Sequence, residues 1–596
     1  MKYDDLIEQL GELGPYQVRV YILTCLPVMA VSIQTLIPVF ILASPDHRCA
    51  ITDRSNDTFA TQGALHLDTI NTTLPWDLGG HSGEAETRRP ARCHIGVLRR
   101  TAGAERLRGQ DTVLFNTRPC DHWVYDKSDF HNTFVTEMDL VCERASLRSH
   151  ANMIYMAGFL VGSIMFGIFA DIKGRKVGLM VAITLHVLAS VFVVLSPNYA
   201  IFVVFRFLIG VSNMGIMLCA FVLGMELVGR QWRTFTGVFI NLFWCAGMLL
   251  LDLLAYGLRD WKHLQLASSC YTVLFLSLWW FVPESSRWLI NQGRVDEARA
   301  TIQKIADSNR KEIPEGAFSG REHDEVPAKF TDICLHPLLA FRLFVVFLNW
   351  LVVNLVYYGL TLNVGSLGGN LYLNFAFTGL VETLGNIATL VALPRLGRKR
   401  FHALAMLFSA TACLCCMIPA LVGSSAPAWV IVVLSNIGKL GITGGYSTIY
   451  VFSAELFPTG LRNSVIGACS MVARIGAMVA PYVADLSLVV DGAMGTALPL
   501  IVFGCSGLLA GLLALTLPET LNMALPETIQ DAIDFGKRQS AASTTSPQEQ
   551  RTNGSVVECS QHPGHNILAG PREKMEVPID GSRSGNVNQV FEMAPV

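Results

Sequence analysis

Apolar residues in this chain come in blocks of roughly twenty, separated by shorter polar stretches. A block of that length crosses a ~30 Å hydrocarbon core as a helix rising ~1.5 Å per residue. Six blocks fall near 20–42, 149–170, 178–196, 200–222, 234–256 and 264–282, and six more near 341–361, 371–393, 402–422, 428–450, 464–484 and 495–517. They are too long for barrel strands and show no strict alternation, so helices remain as the way to satisfy the backbone in lipid. The pattern predicts an all-α membrane protein with twelve transmembrane helices. Ahead of the first block lies an acidic amphipathic start with Asp4, Asp5 and Glu8. A cleavable leader has a basic start and a shorter apolar core, so the first block reads as a span.

Composition agrees: 51% of the 596 residues are hydrophobic and 15% charged, where a soluble chain carries about a quarter charged. The mean hydropathy is +0.42. With a formal net charge of -2 and basic residues scattered through short loops, no nucleic-acid partner is expected. The expected partner is the lipid bilayer.

The short loops set the orientation. Lys173, Arg175 and Lys176 follow span two, Arg230 and Arg233 follow span four, and Arg395, Arg398, Lys399 and Arg400 follow span eight. These loops share one side, which the positive-inside rule makes cytoplasmic; Arg259 and Lys262, after span five, run mildly against it. Residues 1–19 are then a cytoplasmic N-terminus, 20–42 the first helix, 43–148 an outer loop, 149–282 helices two to six, 283–340 a central cytoplasmic loop, 341–517 helices seven to twelve and 518–596 a cytoplasmic tail. The outer loop holds Cys49, Cys93, Cys120 and Cys142, an even set that favours disulfides with three pairings open. It also holds glycosylation sequons at Asn56 and Asn71. From about Gly536 the tail is rich in Ser, Thr, Gln, Asn, Gly and Pro and reads as disordered. Should copies of the chain associate, the outer loop is the expected contact.

The two halves repeat. Gly174-Arg175-Lys176 recurs as Gly397-Arg398-Lys399, Glu226 with Arg233 recurs as Glu455 with Arg462, and Pro283-Glu284-Ser285 recurs as Pro518-Glu519-Thr520. Offsets between the copies grow evenly along the chain. Six-plus-six parallel repeats are a transporter architecture with the substrate site near the midplane.

Gly167-x3-Asp171-x2-Gly174-Arg175-Lys176 resembles the loop motif of the major facilitator superfamily. More narrowly, residues 1–535 resemble the organic cation, organic anion and carnitine transporters, solute carrier family 22. That likeness is carried by Pro45-Asp46-His47-Arg48-Cys49, Glu137-Met138-Asp139-Leu140-Val141-Cys142, Pro283-Glu284-Ser285-Ser286-Arg287-Trp288-Leu289, Tyr357-Tyr358-Gly359-Leu360, Ala454-Glu455-Leu456-Phe457-Pro458-Thr459 and Leu517-Pro518-Glu519-Thr520. Ser286 stands where the family pattern has proline, and Pro394 where the second loop motif has aspartate. Many members also carry six outer cysteines where this loop has four. The resemblance implies the major facilitator fold and a plasma-membrane, multi-pass carrier with both termini cytoplasmic.

At the cytoplasmic helix ends, Asp171, Arg175, Glu226, Arg233, Glu284 and Arg287 supply charges for one half, and Arg398, Glu455 and Arg462 for the other. Charge-assisted pairs between halves would latch the inner mouth of an outward-open state; alternatively these are helix-end charges in surface pairs worth ~0–1 kcal/mol. Pro394 implies that the two gate networks differ in strength.

Ionisable residues inside spans are few, and each costs about 3 kcal/mol on insertion scales. Glu382 in span eight and Arg474 in span eleven are singled out. In the resembled family these spans border the cavity, with aspartate at the position of Arg474 common in the cation branch and arginine common in the anion and carnitine branches. Arginine holds a carboxylate at two points, and a glutamate or an aromatic face holds a quaternary amine. The expected substrate is therefore a small organic cation or a carnitine-like zwitterion, with an organic anion exchanger as runner-up. Glu382 and Arg474 could instead pair with each other, and Lys439 with Asp485 or Glu382. Among aromatics on cavity spans (Phe243, Trp244, Trp350, Tyr357, Tyr358 and Tyr446), Tyr357 and Tyr446 are preferred, because their hydroxyls need partners.

No phosphate-binding loop, metal motif or nucleophile–base pair is evident, so an enzyme, a cofactor and a bound metal are not expected. The run Arg321–Glu325 reads as a solvated surface. A monovalent cation gains about 2.3 kcal/mol per 100 mV, roughly fifty-fold accumulation. A zwitterion gains nothing from voltage and needs a gradient or a co-ion, which the residues do not name. A receptor on a transporter scaffold is the second class.

Overall fold

A computed structural model describes residues 3–51, 57–74, 76–77, 89–90, 92–98, 115–314, 330–366, 369–422, 428–458, 461–486, 490, 493–521, 523, 526 and 529–535. Asn56, the run Arg321–Glu325 and the tail beyond residue 535 lie outside these, as does the side chain of Asn71.

Twelve membrane-length helices dominate. In the first half they are α1 (Pro15–Leu36), α2 (Ser146–Lys173), α3 (Arg175–Val194), α4 (Tyr199–Leu227), α5 (Arg233–Gly257) and α6 (Trp261–Val273, continued by shorter turns to Phe281). The second half holds α7 (Pro337–Leu362), α8 (Leu371–Leu396), α9 (Arg398–Val422), α10 (Ala428–Leu456), α11 (Arg462–Ala484) and α12 (Ala493–Ala514). Among the described residues, eleven of these helices contain an apolar window long enough to cross a membrane. Most helices outrun their apolar blocks by a few residues, because polar end turns continue the backbone pattern into the interface. Side-chain caps start several of them: Asn198 accepts from the Ile201 amide before α4, Asp260 from Lys262 before α6 and Asn370 from Leu373 before α8.

Among the described residues, the loop between α1 and α2 carries three two-stranded antiparallel pairs, one of them His47–Cys49 against Trp123–Tyr125. Cys49 is joined to Cys120, and Cys93 to Cys142, which selects one of the three pairings. Arg48, next to Cys49, is buried, paired with Asp57 and within 2.7 Å of the Thr58 carbonyl oxygen.

On the opposite face the N-terminus and central loop are built rather than loose. Helix Tyr3–Leu10 buries Leu6, Ile7 and Leu10 against Ile302, Ile305 and Ala306 of helix Val295–Asn309.

The repeat is visible in the hydrogen bonds of this face. Glu284 accepts from the backbone amides of Arg175 and Lys176 at 2.9 and 3.0 Å, and Glu519 accepts from those of Arg398 and Lys399 at 2.8 and 3.4 Å. Each carboxylate caps a helix start, where unpaired amides and the helix dipole favour negative charge. The glycine before each start has positive φ, +107° at Gly174 and +86° at Gly397. A Cβ there would lie 2.2 Å and 2.6 Å from the capping carboxylate, so the motif needs glycine.

Candidate substrate site

The buried charges of α8, α10 and α11 fall into two clusters. In the first, Glu382 of α8 and Lys439 of α10 pair at 3.2 Å, both buried. Tyr357 of α7 donates its hydroxyl to Glu382 at 2.5 Å. The Lys439 ammonium sits 3.3 Å from the centroid of the Tyr357 ring and donates to Thr361 at 2.5 Å. Opposite charges, a ring face and a hydroxyl thus meet most of the needs of this ion pair; breaking such a buried pair costs roughly 3–5 kcal/mol.

Arg474 of α11 has no such partner. It is buried among the rings of Tyr446, Tyr358 and Tyr450, with its guanidinium 5.1 Å from the centroid of Phe159 on α2. Its Nη2 approaches the Met214 sulfur at 3.7 Å, the Tyr358 hydroxyl is a hydrogen-bonding neighbour, and its Nε is unpaired among the described residues. Among the described residues no carboxylate forms an ion pair with it. The pairing of Glu382 with Arg474 does not occur: Glu382 has Lys439, and Asp485 has Arg148 at 3.0 Å and the Ser149 hydroxyl.

Tyrosine rings connect the clusters. Tyr446 lies 5.0 Å from Tyr357 and 5.8 Å from Tyr450. Tyr357 and Tyr446 therefore stand where charge is concentrated. Trp350 does not: its indole donates to Ser453 at 2.8 Å and packs on Tyr450, between α7 and α10. Phe243 packs with Phe239 and Tyr21 in the first half. Tyr450 went unread in the sequence although it lies one helical turn from Tyr446, a spacing that puts both on one face. Three further polar groups inside spans were passed over, namely the buried Arg206 and His186 and the half-buried Asp252. Each was legible as a rare polar letter inside an apolar block.

The charges on the motif-bearing face pair within halves. Arg175 meets Asp171 at 3.0 Å and Glu226 at 3.4 Å, and Arg398 meets Glu455 at 3.0 Å. Asp4 of the N-terminal helix takes Arg233 at 2.5 Å and stands 3.8 Å from Arg287. Arg462 lies near both Glu455 and Arg233, with its Nε and Nη2 unpaired. Among the described residues no ion pair joins the halves on this face; the one that does, Arg148–Asp485, is on the loop face. There Tyr372 of α8 also stacks on Phe40 after α1 and meets Tyr256 of α5 edge-on. The halves are thus closed against each other at their loop ends.

Comparison with known proteins now places the chain. Residues 123–531 match the family described as "Sugar (and other) transporter". The chain is 37% identical to the "Organic cation transporter protein" of Drosophila melanogaster, over 94% of this chain and 98% of that one. It is 31% identical to solute carrier family 22 member 3 of Rattus norvegicus (90% and 96% covered) and 33% to member 7 (89% and 98%). This chain belongs to solute carrier family 22. Its fold is that of the major facilitator superfamily, shared with a partially occluded, inward-open xylose transporter XylE from E. coli at TM-score 0.57 and 14% identity, covering 86% of this chain and 100% of the other. As a member of solute carrier family 22, the protein is a multi-pass membrane transporter of organic ions rather than an enzyme.

Proposed function

We propose that this carrier moves a small zwitterion, with its carboxylate on Arg474 and its quaternary or protonated amine against the rings of Tyr446, Tyr450 and Tyr358. One observation carries the reading: among the described residues Arg474 is a buried guanidinium with no carboxylate paired to it, whereas Glu382 is already neutralised by Lys439. A free guanidinium offers a carboxylate a two-point contact. The rings beside it offer a cation their faces. Glu382 and Tyr357 form the far wall of the site through Tyr446.

The cycle is alternating access across the plasma membrane, with the disulfide loop outside and both termini inside. Closure at the loop face, with the Arg148–Asp485 pair made and no ion pair joining the halves opposite among the described residues, supports reading this arrangement as inward-facing. Asp171, Arg175, Glu226, Arg398, Glu455 and Arg462 would re-pair between halves when the inner mouth shuts. A second reading, an organic cation as substrate, is favoured by the Drosophila relative's name; it requires Lys439 to release Glu382.

Uptake in voltage-clamped cells separates these readings. Carnitine, a quaternary amine and an aromatic carboxylate are compared in wild type, Arg474→Gln and Glu382→Gln. Carnitine uptake that falls at least tenfold in Arg474→Gln supports the zwitterion. A quaternary amine that enters with inward current and ignores Arg474→Gln replaces it with the cation reading. Flux of the aromatic carboxylate alone makes the carrier an anion exchanger.

A further inference from the structure

A second buried guanidinium lies apart from the substrate site, inside the first half. Arg206 of α4 is 1% exposed. Its Nη1 donates to the Gln34 carbonyl oxygen at 3.1 Å, and its guanidinium rests 4.4 Å from the centroid of the Tyr155 ring. Its Nη2 has no hydrogen-bond partner among the described residues. Arginine does not surrender its proton, so this is a permanent positive charge with no carboxylate paired to it among the described residues. Arg48 and Lys439, equally buried, each have a carboxylate.

The surrounding side chains leave further polar atoms unmatched. His186 of α3 faces Asn213 and Arg206, yet neither ring nitrogen makes a well-aligned hydrogen bond. Asn213 donates to the Tyr155 hydroxyl at 2.7 Å and leaves its Oδ1 unpaired. Gln265 of α6 donates to Gln34 at 3.2 Å and leaves its own oxygen unpaired. His186, Asn213 and Gln265 are each 0% exposed. Buried polar atoms in native proteins are almost always satisfied by protein, water or an ion. Water would meet the hydrogen bonds; only an anion also cancels the charge.

We infer that Arg206 and His186 form a binding site for a small monovalent inorganic anion of the size of chloride, enclosed in the first half and separate from the substrate arginine. The Arg206 Nη2 and one His186 N–H are its donors, and full enclosure excludes an organic ligand. The site is nonetheless one layer of rings from the substrate arginine: Tyr155 meets Phe159 at 5.2 Å, and Phe159 carries Arg474 on its face.

The test uses the purified full-length chain in detergent. Thermal unfolding is followed as sodium chloride replaces sodium gluconate at constant ionic strength, since a ligand that binds the folded state raises its melting temperature saturably. Wild type and Arg474→Gln are expected to gain a few degrees with chloride, and Arg206→Gln to gain none. His186→Phe, which keeps the charge and removes a donor, should raise the half-saturating chloride concentration roughly three- to tenfold. Wild type indifferent to chloride, or Arg206→Gln still responding, overturns the inference. So does loss of the response in Arg474→Gln alone, which would put the anion at the substrate arginine. If Arg206→Gln does not fold, His186→Phe decides: an unchanged half-saturation overturns the site.

Discussion

Glu284 holds the amide of Arg175 at 2.9 Å, and the same carboxylate fills the space a side chain at Gly174 would need. Sequence motif and helix cap are thus one device, used again by Glu519 and Arg398. Gly174→Ala meets both a positive φ and a displaced cap, and is expected to lower stability by about 1–3 kcal/mol. Gly397→Ala should behave alike. The check is the melting temperature of the purified variants; a shift below one degree in both would separate the motif from the cap.

The pair of Glu382 and Lys439 predicts non-additive mutations. Glu382→Gln leaves a buried ammonium unpaired, and Lys439→Met leaves a buried carboxylate, each at roughly 3–5 kcal/mol. The double variant loses both charges together and should be more stable than either single variant. A double-mutant cycle on thermal stability reads the coupling; additive losses would mean the pair is not formed in the membrane.

Arg148 and Asp485 are the ion pair that ties the halves together at the loop face. The pair is partly exposed, and such pairs are worth about 1 kcal/mol or less. Asp485→Asn is expected to shift the carrier toward outward opening by up to roughly fivefold. A cysteine placed at Met153, whose sulfur meets the Tyr482 hydroxyl at 3.3 Å, reports it: labelling by an impermeant thiol reagent from outside should speed up in Asp485→Asn. An unchanged rate would show that the rings of Phe40, Tyr256 and Tyr372 keep this end closed without the ion pair.

Asp4 anchors the N-terminal helix to Arg230, Arg233 and Arg287. Burial opposes its charge, but the hydrogen bond and charge of Arg233, helped by Arg287 and Arg230, hold the carboxyl below the ordinary aspartate range. A depressed folded value contributes stability above the unfolded pKa and loses it as pH falls through the folded one. Docking of the helix should hold at neutral pH and weaken only at strongly acidic pH, below about 4. In Asp4→Asn the helix should be cleaved faster by limited proteolysis already at pH 7. Equal cleavage rates there would assign docking to Leu6, Ile7 and Leu10 alone.

The amino-acid sequence determined the membrane helices, the six-plus-six repeat and the family, because each rests on local or periodic information. Block length reports span, basic loops report side, and Gly-Arg-Lys and Pro-Glu report a turn and its cap. It also singled out Glu382, Arg474, Tyr357 and Tyr446, since a polar letter in an apolar block is visible without a fold. Who meets whom was decided only by tertiary structure. Glu382 chose Lys439, 57 positions away and on another helix, over Arg474, because α8 and α10 pack with Tyr357 between them while α11 turns its arginine toward α2. The same holds for the Cys49–Cys120 and Cys93–Cys142 pairings, and for Asp4 reaching arginines more than two hundred residues away. Charge alone does not choose between partners of one sign; helix packing does, by setting which side chains lie within a few ångströms.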